Sequence, residues 1–309
     1  MFLSITVIIS LGFIPLSRCE IANWDDISTY TTFLQFSRAA YCNNIVQNQN
    51  WTCGVHTCQS HIRNATILGT FGEYDGMEAT GFVSVHDLHG IVAVSFRGTQ
   101  GIDKMLTDLK LTQKNPKWKN ADLHHPQLGR VASHQSLHLS PRIQLHRGIS
   151  DAYRKRRDAI QSLVHDAIQI YPNYTVVFTG HSLGAAHAAI AALDSINLFG
   201  TEFGTRVKVY NFAQPRTGNA DWAKAFDNAV PFTRRFTKFG DPVPHSPLIA
   251  FGYYHHTNEI FIDQDGSFHT CKPETLGESG KGVCMNKRLV PIPMNHKLVN
   301  YAWPGSYEC

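Results

Sequence analysis

Residues 180–184 read Gly180-His181-Ser182-Leu183-Gly184, a serine bracketed by two glycines. A serine hydroxyl attacks a carbonyl only when a neighbouring base takes its proton, and that base needs a carboxylate to orient it. The pentapeptide alone is a weak signal, and its surroundings strengthen it. Tyr174 to Thr179 predicts a strand running in, and the alanine-rich stretch Leu183 to Leu198 predicts a helix running out. A strand, a sharp turn and a helix form a nucleophile elbow, which lifts the serine hydroxyl above the sheet edge. The flanking glycines let the two backbones approach closely. Without that context Ser182 would be an ordinary helix N-cap.

On such a scaffold the acid and then the base follow the serine along the chain. Asp241 stands in Phe239-Gly240-Asp241-Pro242-Val243-Pro244, just after a predicted strand. The plain alternative is a turn aspartate before proline. The downstream histidines are His245, His255, His256, His269 and His296. His245 is disfavoured by its closeness to Asp241, and position alone does not choose among the others. The charge that develops on the ester oxygen needs fixed donors, and the N–H of Leu183, next after the serine, is one of them.

The elements that must hold these groups show in the apolar pattern. Phe82 to Val85 and Ile91 to Phe96 flank Leu88-His89-Gly90 and predict paired strands. The second run is continuously apolar, as in a strand covered on both faces. Apolar residues at 149, 152, 153, 160, 163, 164, 167, 168 and 171 give helical spacing, ended by Pro172-Asn173. Further strands are expected at Val207–Ala213, Thr233–Lys238 and Glu259–Ile262. Strands alternating with helices make an α/β fold with a mixed sheet. Residues 114–146 break the pattern with three lysines and five of the 17 histidines, and are read as a long surface insertion.

The 309 residues are 43% hydrophobic and 17% charged, which excludes a disordered chain. A net charge of +4 is too weak to imply nucleic-acid binding. The densest basic run, Arg154-Lys155-Arg156-Arg157, is read as a solvated helix face. No phosphate-binding loop, dinucleotide fingerprint or zinc-protease motif occurs, so neither a cofactor nor a metal is implied. Phe2 to Leu16 is nearly all apolar, shorter than the roughly 20 residues of a membrane span, and suits a signal-peptide core. The alternative is an uncleaved anchor. Cleavage before Glu20 would leave residues 20–309 as one exported domain. Of the cysteines at 19, 42, 53, 58, 271, 284 and 309 it would remove Cys19 and leave an even number, as an oxidising compartment favours. Three sequons, at Asn50, Asn64 and Asn173, also fit export.

Taken in order, a set of motifs carries a resemblance. They are Ser95-Phe96-Arg97-Gly98-Thr99, Leu106-Thr107-Asp108-Leu109, His146-Arg147-Gly148, the elbow, Gln214-Pro215-Arg216-Thr217-Gly218-Asn219, Asp241-Pro242-Val243-Pro244, and Asn295-His296 followed by Tyr301. From about Tyr30 to Cys309 the chain resembles the secreted fungal triacylglycerol lipases, the class 3 lipases of the α/β-hydrolase fold. That resemblance implies a mostly parallel central sheet flanked by helices, with Ser182 as nucleophile, Asp241 as orienting acid and His296 as base. It makes Thr99 the second oxyanion donor, with Asp108 holding its hydroxyl. It implies the disulfides Cys42–Cys309, Cys53–Cys58 and Cys271–Cys284. The chain departs from the family at Met105, where tryptophan is usual, at Gly184-Ala185-Ala186, and in its longer 114–146 insertion.

Ile102, Met105, Leu106 and Leu109 recur at helical spacing within a segment of about 99–113. An exposed apolar face there suits a lid that opens onto lipid at an oil–water interface, while a core-facing helix would show the same pattern. The expected activity is hydrolysis of lipid carboxylic esters, triacylglycerols foremost, through an acyl-enzyme. The competing readings are a feruloyl or other carboxylesterase on the same fold, and an inactive secreted lipid-binding module.

Overall fold

The computed structural model describes residues 25–42, 62, 64–72, 79–99, 113–116, 140–271, 293–297 and 301. The expected signal peptide (1–19), most of the lid (100–112) and the middle of the insertion (117–139) lie outside the described residues.

An eight-stranded sheet forms the centre. Its strands are β1 (Thr66–Phe71), β2 (Gly81–His86), β3 (Ile91–Phe96), β6 (Thr175–His181), β7 (Val207–Phe212), β8 (Phe232–Lys238), β9 (Glu259–Ile262) and β10 (Phe268–Thr270), in that spatial order. Strands β3, β6, β7, β8 and β9 run parallel, and antiparallel pairs close both edges. A separate two-stranded ribbon joins β4 (Gln113–Lys114) to β5 (Leu145–His146). It draws the two ends of the 114–146 stretch together, and the last residues of that stretch, Ile143, Leu145 and His146, are buried.

The apolar run of β3 is explained by what covers it. Val92, Val94 and Phe96 face a core shared with α2 (Arg147–Ile170) and α3 (Leu183–Phe199). Ile91 and Ala93 face a second core with Phe33, Leu34 and Phe36 of α1 (Ile27–Ala39). Both faces are dry, so alternation disappears from the sequence.

The long helix starts where the His146 side chain accepts a hydrogen bond from the Ile149 N–H at 3.3 Å, and ends before Pro172. A helix that the apolar spacing did not reveal, α4 (Ala220–Ala229), starts the same way, with Asn219 accepting from the Trp222 N–H. The basic run on α2 is only partly a solvated face. Arg154 and Lys155 are exposed, but Arg157 turns inward and binds the buried Asp194 of α3 through Nε at 2.7 Å and Nη2 at 2.9 Å. Among the described residues no helix is long and apolar enough to cross a membrane.

Candidate active site

The carboxyl ends of the parallel strands carry the site. Strand β6 delivers Ser182, and α3 leaves from it at once. Ser182 has φ 59° and ψ −130°, a conformation an L-residue adopts only under constraint. The constraint is close packing of strand, turn and helix. A Cβ on Gly180 would lie 2.5 Å from the Gly184 carbonyl, and one on Gly184 would lie 2.6 Å from the Arg97 carbonyl carbon. Ala185, Ala186, Ala188 and Ala189 continue the contact with no exposed surface. The Ser182 side chain makes no helix-capping bond. Its Oγ lies 2.8 Å from Nε2 of His296.

His296 sits on the short turn Pro293–His296, and its Nδ1 lies 3.0 Å from each oxygen of Asp241. Asp241 follows β8 and is fully buried. Its carboxylate also accepts from the Val243 N–H at 2.9 Å and from the Tyr301 hydroxyl. Burial and the adjoining Asp241 charge push the Tyr301 hydroxyl well above the usual tyrosine range, so it remains a donor. The neighbouring turn is pinned as well: Asn295 Nδ2 donates to the Phe239 carbonyl at 2.7 Å.

The other histidines sort by their contacts. His255 Nε2 meets the Pro244 carbonyl at 2.8 Å, and His256 Nε2 meets Gln214 Oε1 at 3.0 Å. Burial and then the Arg235 charge hold both neutral, His255 well below the ordinary range and His256 down to about 3. His269 is half-exposed and bonds to Ser267. His245 offers its backbone carbonyl to Arg216. Among the described residues only His296 joins the serine to the aspartate.

A second line of contacts, unseen in the sequence, backs the site. His181 Nε2 lies 2.9 Å from the backbone carbonyl of His296, and its Nδ1 lies 2.9 Å from the Tyr41 hydroxyl. A carbonyl only accepts, so Nε2 carries the proton and Tyr41 donates to Nδ1. Burial, followed by the neighbouring His296, keeps His181 well below the usual histidine range and therefore neutral. No periodicity marks this link, because Tyr41 and His181 are 140 residues apart.

The residues expected to donate to the oxyanion, Thr99 and Leu183, fall at the same corner. β3 pairs with β6 so that Phe96 faces Gly180, which brings Gly98 and Thr99 beside the elbow. A Cβ on Gly98 would lie 3.0 Å from the Ser182 Cβ. The Thr99 Oγ1 is buried and makes no hydrogen bond among the described residues. Leu183 begins α3 and is nearly buried. Asp108 and the lid residues Ile102, Met105, Leu106 and Leu109 lie outside the described residues. Cys42 and Cys271 are disulfide-bonded, while Cys53, Cys58, Cys284 and Cys309 lie outside. Asn64 and Asn173 are exposed, and Asn50 lies outside. Among the described residues no group of three or more His, Cys, Asp or Glu could hold a metal ion.

Comparison with known proteins identifies the family and the fold. A family model described as Lipase (class 3) matches residues 93–251, just over half of the chain. The secreted mono- and diacylglycerol lipase A of Penicillium cyclopium is 26% identical over 267 residues, 84% of this chain and 79% of that protein. A lipase of Rhizomucor miehei is 27% identical over 261 residues, 82% of this chain and 62% of that protein. The crystal structure of a lipase from Rhizopus microsporus var. chinensis superposes with a TM-score of 0.71 at 23% identity, covering 91% of this chain and 88% of that one. The fold is therefore that of the α/β-hydrolases.

Proposed function

Because this chain belongs to the class 3 lipase family, and so is an ester hydrolase of the lipase type, we propose that it cleaves acylglycerols, triacylglycerols foremost, through an acyl-enzyme on Ser182. The observation that carries this reading is the 2.8 Å approach of His296 Nε2 to Ser182 Oγ, with Asp241 on the other ring nitrogen. Ser182 Oγ attacks the ester carbonyl while His296 takes its proton. Asp241 holds Nδ1–H and stabilises the imidazolium. The tetrahedral oxyanion accepts from the Leu183 N–H and from Thr99, each donor being worth about 2.7–4 kcal/mol of barrier. Collapse expels the glycerol alcohol, which takes its proton from His296. Water then enters and attacks the acyl carbonyl as His296 takes its proton; His296 returns that proton to Ser182 Oγ as the fatty acid leaves.

Supporting the lipid substrate, Gly101 to Thr112 carries Ile102, Met105, Leu106 and Leu109 at helical spacing. In this reading the segment is the lid and Asp108 steadies the Thr99 hydroxyl. The exported domain spans residues 20–309. Its disulfides are Cys42–Cys309, Cys53–Cys58 and Cys271–Cys284, and it is glycosylated at Asn50, Asn64 and Asn173. The secreted relative from Penicillium cyclopium supports export.

The test is phosphonate labelling followed by peptide mapping, together with rates on emulsified tri-, di- and monoacylglycerols and on dissolved p-nitrophenyl butyrate. Labelling at Ser182 alone is expected, with loss of about 10⁴-fold or more in rate for Ser182→Ala and His296→Ala. Near-normal turnover by His296→Ala would overturn the base assignment. A preference for diacylglycerol would reassign the substrate and leave the chemistry standing.

A further inference from the structure

Tyr41 stands two residues beyond the end of α1, yet its hydroxyl reaches the elbow. The helix that carries it is pinned to β6. Thr179 Oγ1 gives its proton to the Tyr210 carbonyl at 2.6 Å, so Ser37 Oγ donates to Thr179 at 2.8 Å. The helical turn continues through Tyr41, whose N–H donates to the Arg38 carbonyl at 2.9 Å. The next residue, Cys42, is disulfide-bonded.

The Tyr41 hydroxyl joins two loops of the site. Its Oη accepts from the Gly98 N–H. The approach is close enough that a Cβ on Gly98 would collide with Oη and would lie 2.6 Å from the His181 carbonyl. Burial raises the Tyr41 hydroxyl above the ordinary tyrosine range, against the opposing Gly98 bond, so it keeps a proton to donate. That proton goes to His181 Nδ1 at 2.9 Å, and His181 Nε2–H donates to the His296 carbonyl at 2.9 Å. The His181 and His296 rings also lie 4.8 Å apart. One run of bonds therefore leads from Gly98, beside Thr99, to the backbone of the base, and bonds in such a run strengthen one another. The other tautomer of His181 would set an Nε2 lone pair against the His296 carbonyl. A donor on Nδ1 excludes that arrangement.

We propose that Tyr41 and His181 are positioning residues of the ester hydrolysis. The Tyr41 hydroxyl selects the His181 tautomer whose Nε2–H holds the His296 backbone, so the base and the Thr99 loop are set against Ser182 as one unit. Both act through Gly98 and His296 and not on the substrate. The inference deepens the proposed function and rests on it, while its spectroscopic test does not.

The experiment uses the full-length chain and its variants Tyr41→Phe, His181→Leu and His181→Gln. It measures kcat and KM on dissolved p-nitrophenyl butyrate, with folded sites counted by phosphonate labelling. In parallel, ¹⁵N spectra of histidine-labelled chain report which His181 nitrogen carries the proton, its signals being assigned by their loss in His181→Gln. Tyr41→Phe should lower kcat by about tenfold with KM unchanged. His181→Leu should lower it by about 10²-fold, the cost of a displaced base. His181→Gln should recover most of that loss, because its amide again offers an N–H to the His296 carbonyl. If His181→Leu does not fold, Tyr41→Phe and His181→Gln decide the matter in the same way. The parent spectrum should show His181 protonated on Nε2 alone, and Tyr41→Phe should mix the two tautomers.

Unchanged kcat in Tyr41→Phe, with or without a loss of stability, would overturn the inference and leave the proposed function standing. So would a His181→Gln chain no faster than His181→Leu, or a parent chain with its His181 proton on Nδ1. Failure of the parent chain to hydrolyse any ester would instead refute the proposed function, and the spectra would still decide whether Tyr41 sets the tautomer.

Discussion

Two buried aspartates in this molecule each hold a tyrosine and differ in what else they hold. Asp241 accepts from Tyr301, the Val243 N–H and His296. Asp194, on α3, accepts from Tyr153 at 2.7 Å and from both arms of Arg157, and Gln161 and Ser195 extend the network. The partner of Asp194 is a permanent cation. Burial by itself would lower the Arg157 guanidinium, but its hydrogen bonds and charge pairing with Asp194 hold it above the usual range. That carboxylate is therefore already neutralised, and its role is to join α2 to α3. Among the described residues no arginine or lysine reaches Asp241. Its partner is His296, which also bonds Ser182, so in the proposed reaction this carboxylate faces the imidazolium formed when His296 takes the serine proton. The same group is a structural tie in one place and a poised counter-charge in the other.

The comparison breaks most sharply with matched substitutions. Asp241→Asn should lower kcat on p-nitrophenyl butyrate by about 10⁴-fold, because the amide no longer holds the right tautomer of His296. Asp194→Asn should leave the rate per folded molecule unchanged and instead destabilise the chain by about 3–5 kcal/mol, since Arg157 is left as an uncompensated buried charge. Urea unfolding of both variants beside their kinetics is the check. A large rate loss from Asp194→Asn with normal stability would erase the distinction.

The tyrosines offer a smaller contrast. A hydrogen bond to a charged acceptor is worth about 1.5–3 kcal/mol. Tyr153→Phe should lose that amount from unfolding free energy and nothing from the rate. Tyr301→Phe should instead lose about tenfold or more in kcat, because its acceptor is the carboxylate that steadies the imidazolium. Equal and purely structural losses at both positions would show that Tyr301 only anchors the chain end.

The two clusters were not equally legible in the sequence. The elbow could be read because its requirements are local: a strand, two glycines and a helix within a few residues. Asp241 could be read from its place after a strand. The base could not be read from order alone, since five downstream histidines satisfied it; the family resemblance pointed to His296, and folding separates it by its contacts from His255 and His256. The Asp194 tie was invisible, and Arg157 was misread as surface, because its partner is 37 residues away on another helix. Helix α1 was missed for a different reason. Its threonines are poor helix formers, and Thr31 and Thr32 bond back to the Ile27 and Ser28 carbonyls at 2.9 Å. Packing of Phe33, Leu34 and Phe36 against the sheet overrides that preference.

The smallest effect concerns the histidines that the fold keeps neutral. His181 bonds the backbone carbonyl of His296. His187, six residues later and on α3, has its ring 6.5 Å from that of Phe96. Burial lowers His187 to about 4, with the Ile149 backbone opposing, and His181, His255 and His256 are lowered too. In the unfolded chain all four take up protons near pH 6.5. Below that pH the unfolded state binds more protons than the folded one, so stability falls as pH falls, by up to about 1.4 kcal/mol per pH unit for each such histidine. For His187 the decline stops once pH passes its folded value near 4. His187→Leu removes one of these protons from the balance without touching Ser182, Asp241 or Asp194. The slope of unfolding free energy against pH, between about 5.5 and 4.5, should flatten by about 1.4 kcal/mol per unit, with the rate on a dissolved ester preserved. An unchanged slope would mean that His187 takes its proton in the folded chain as readily as in the unfolded one, and acid sensitivity would then belong to His181, His255 and His256.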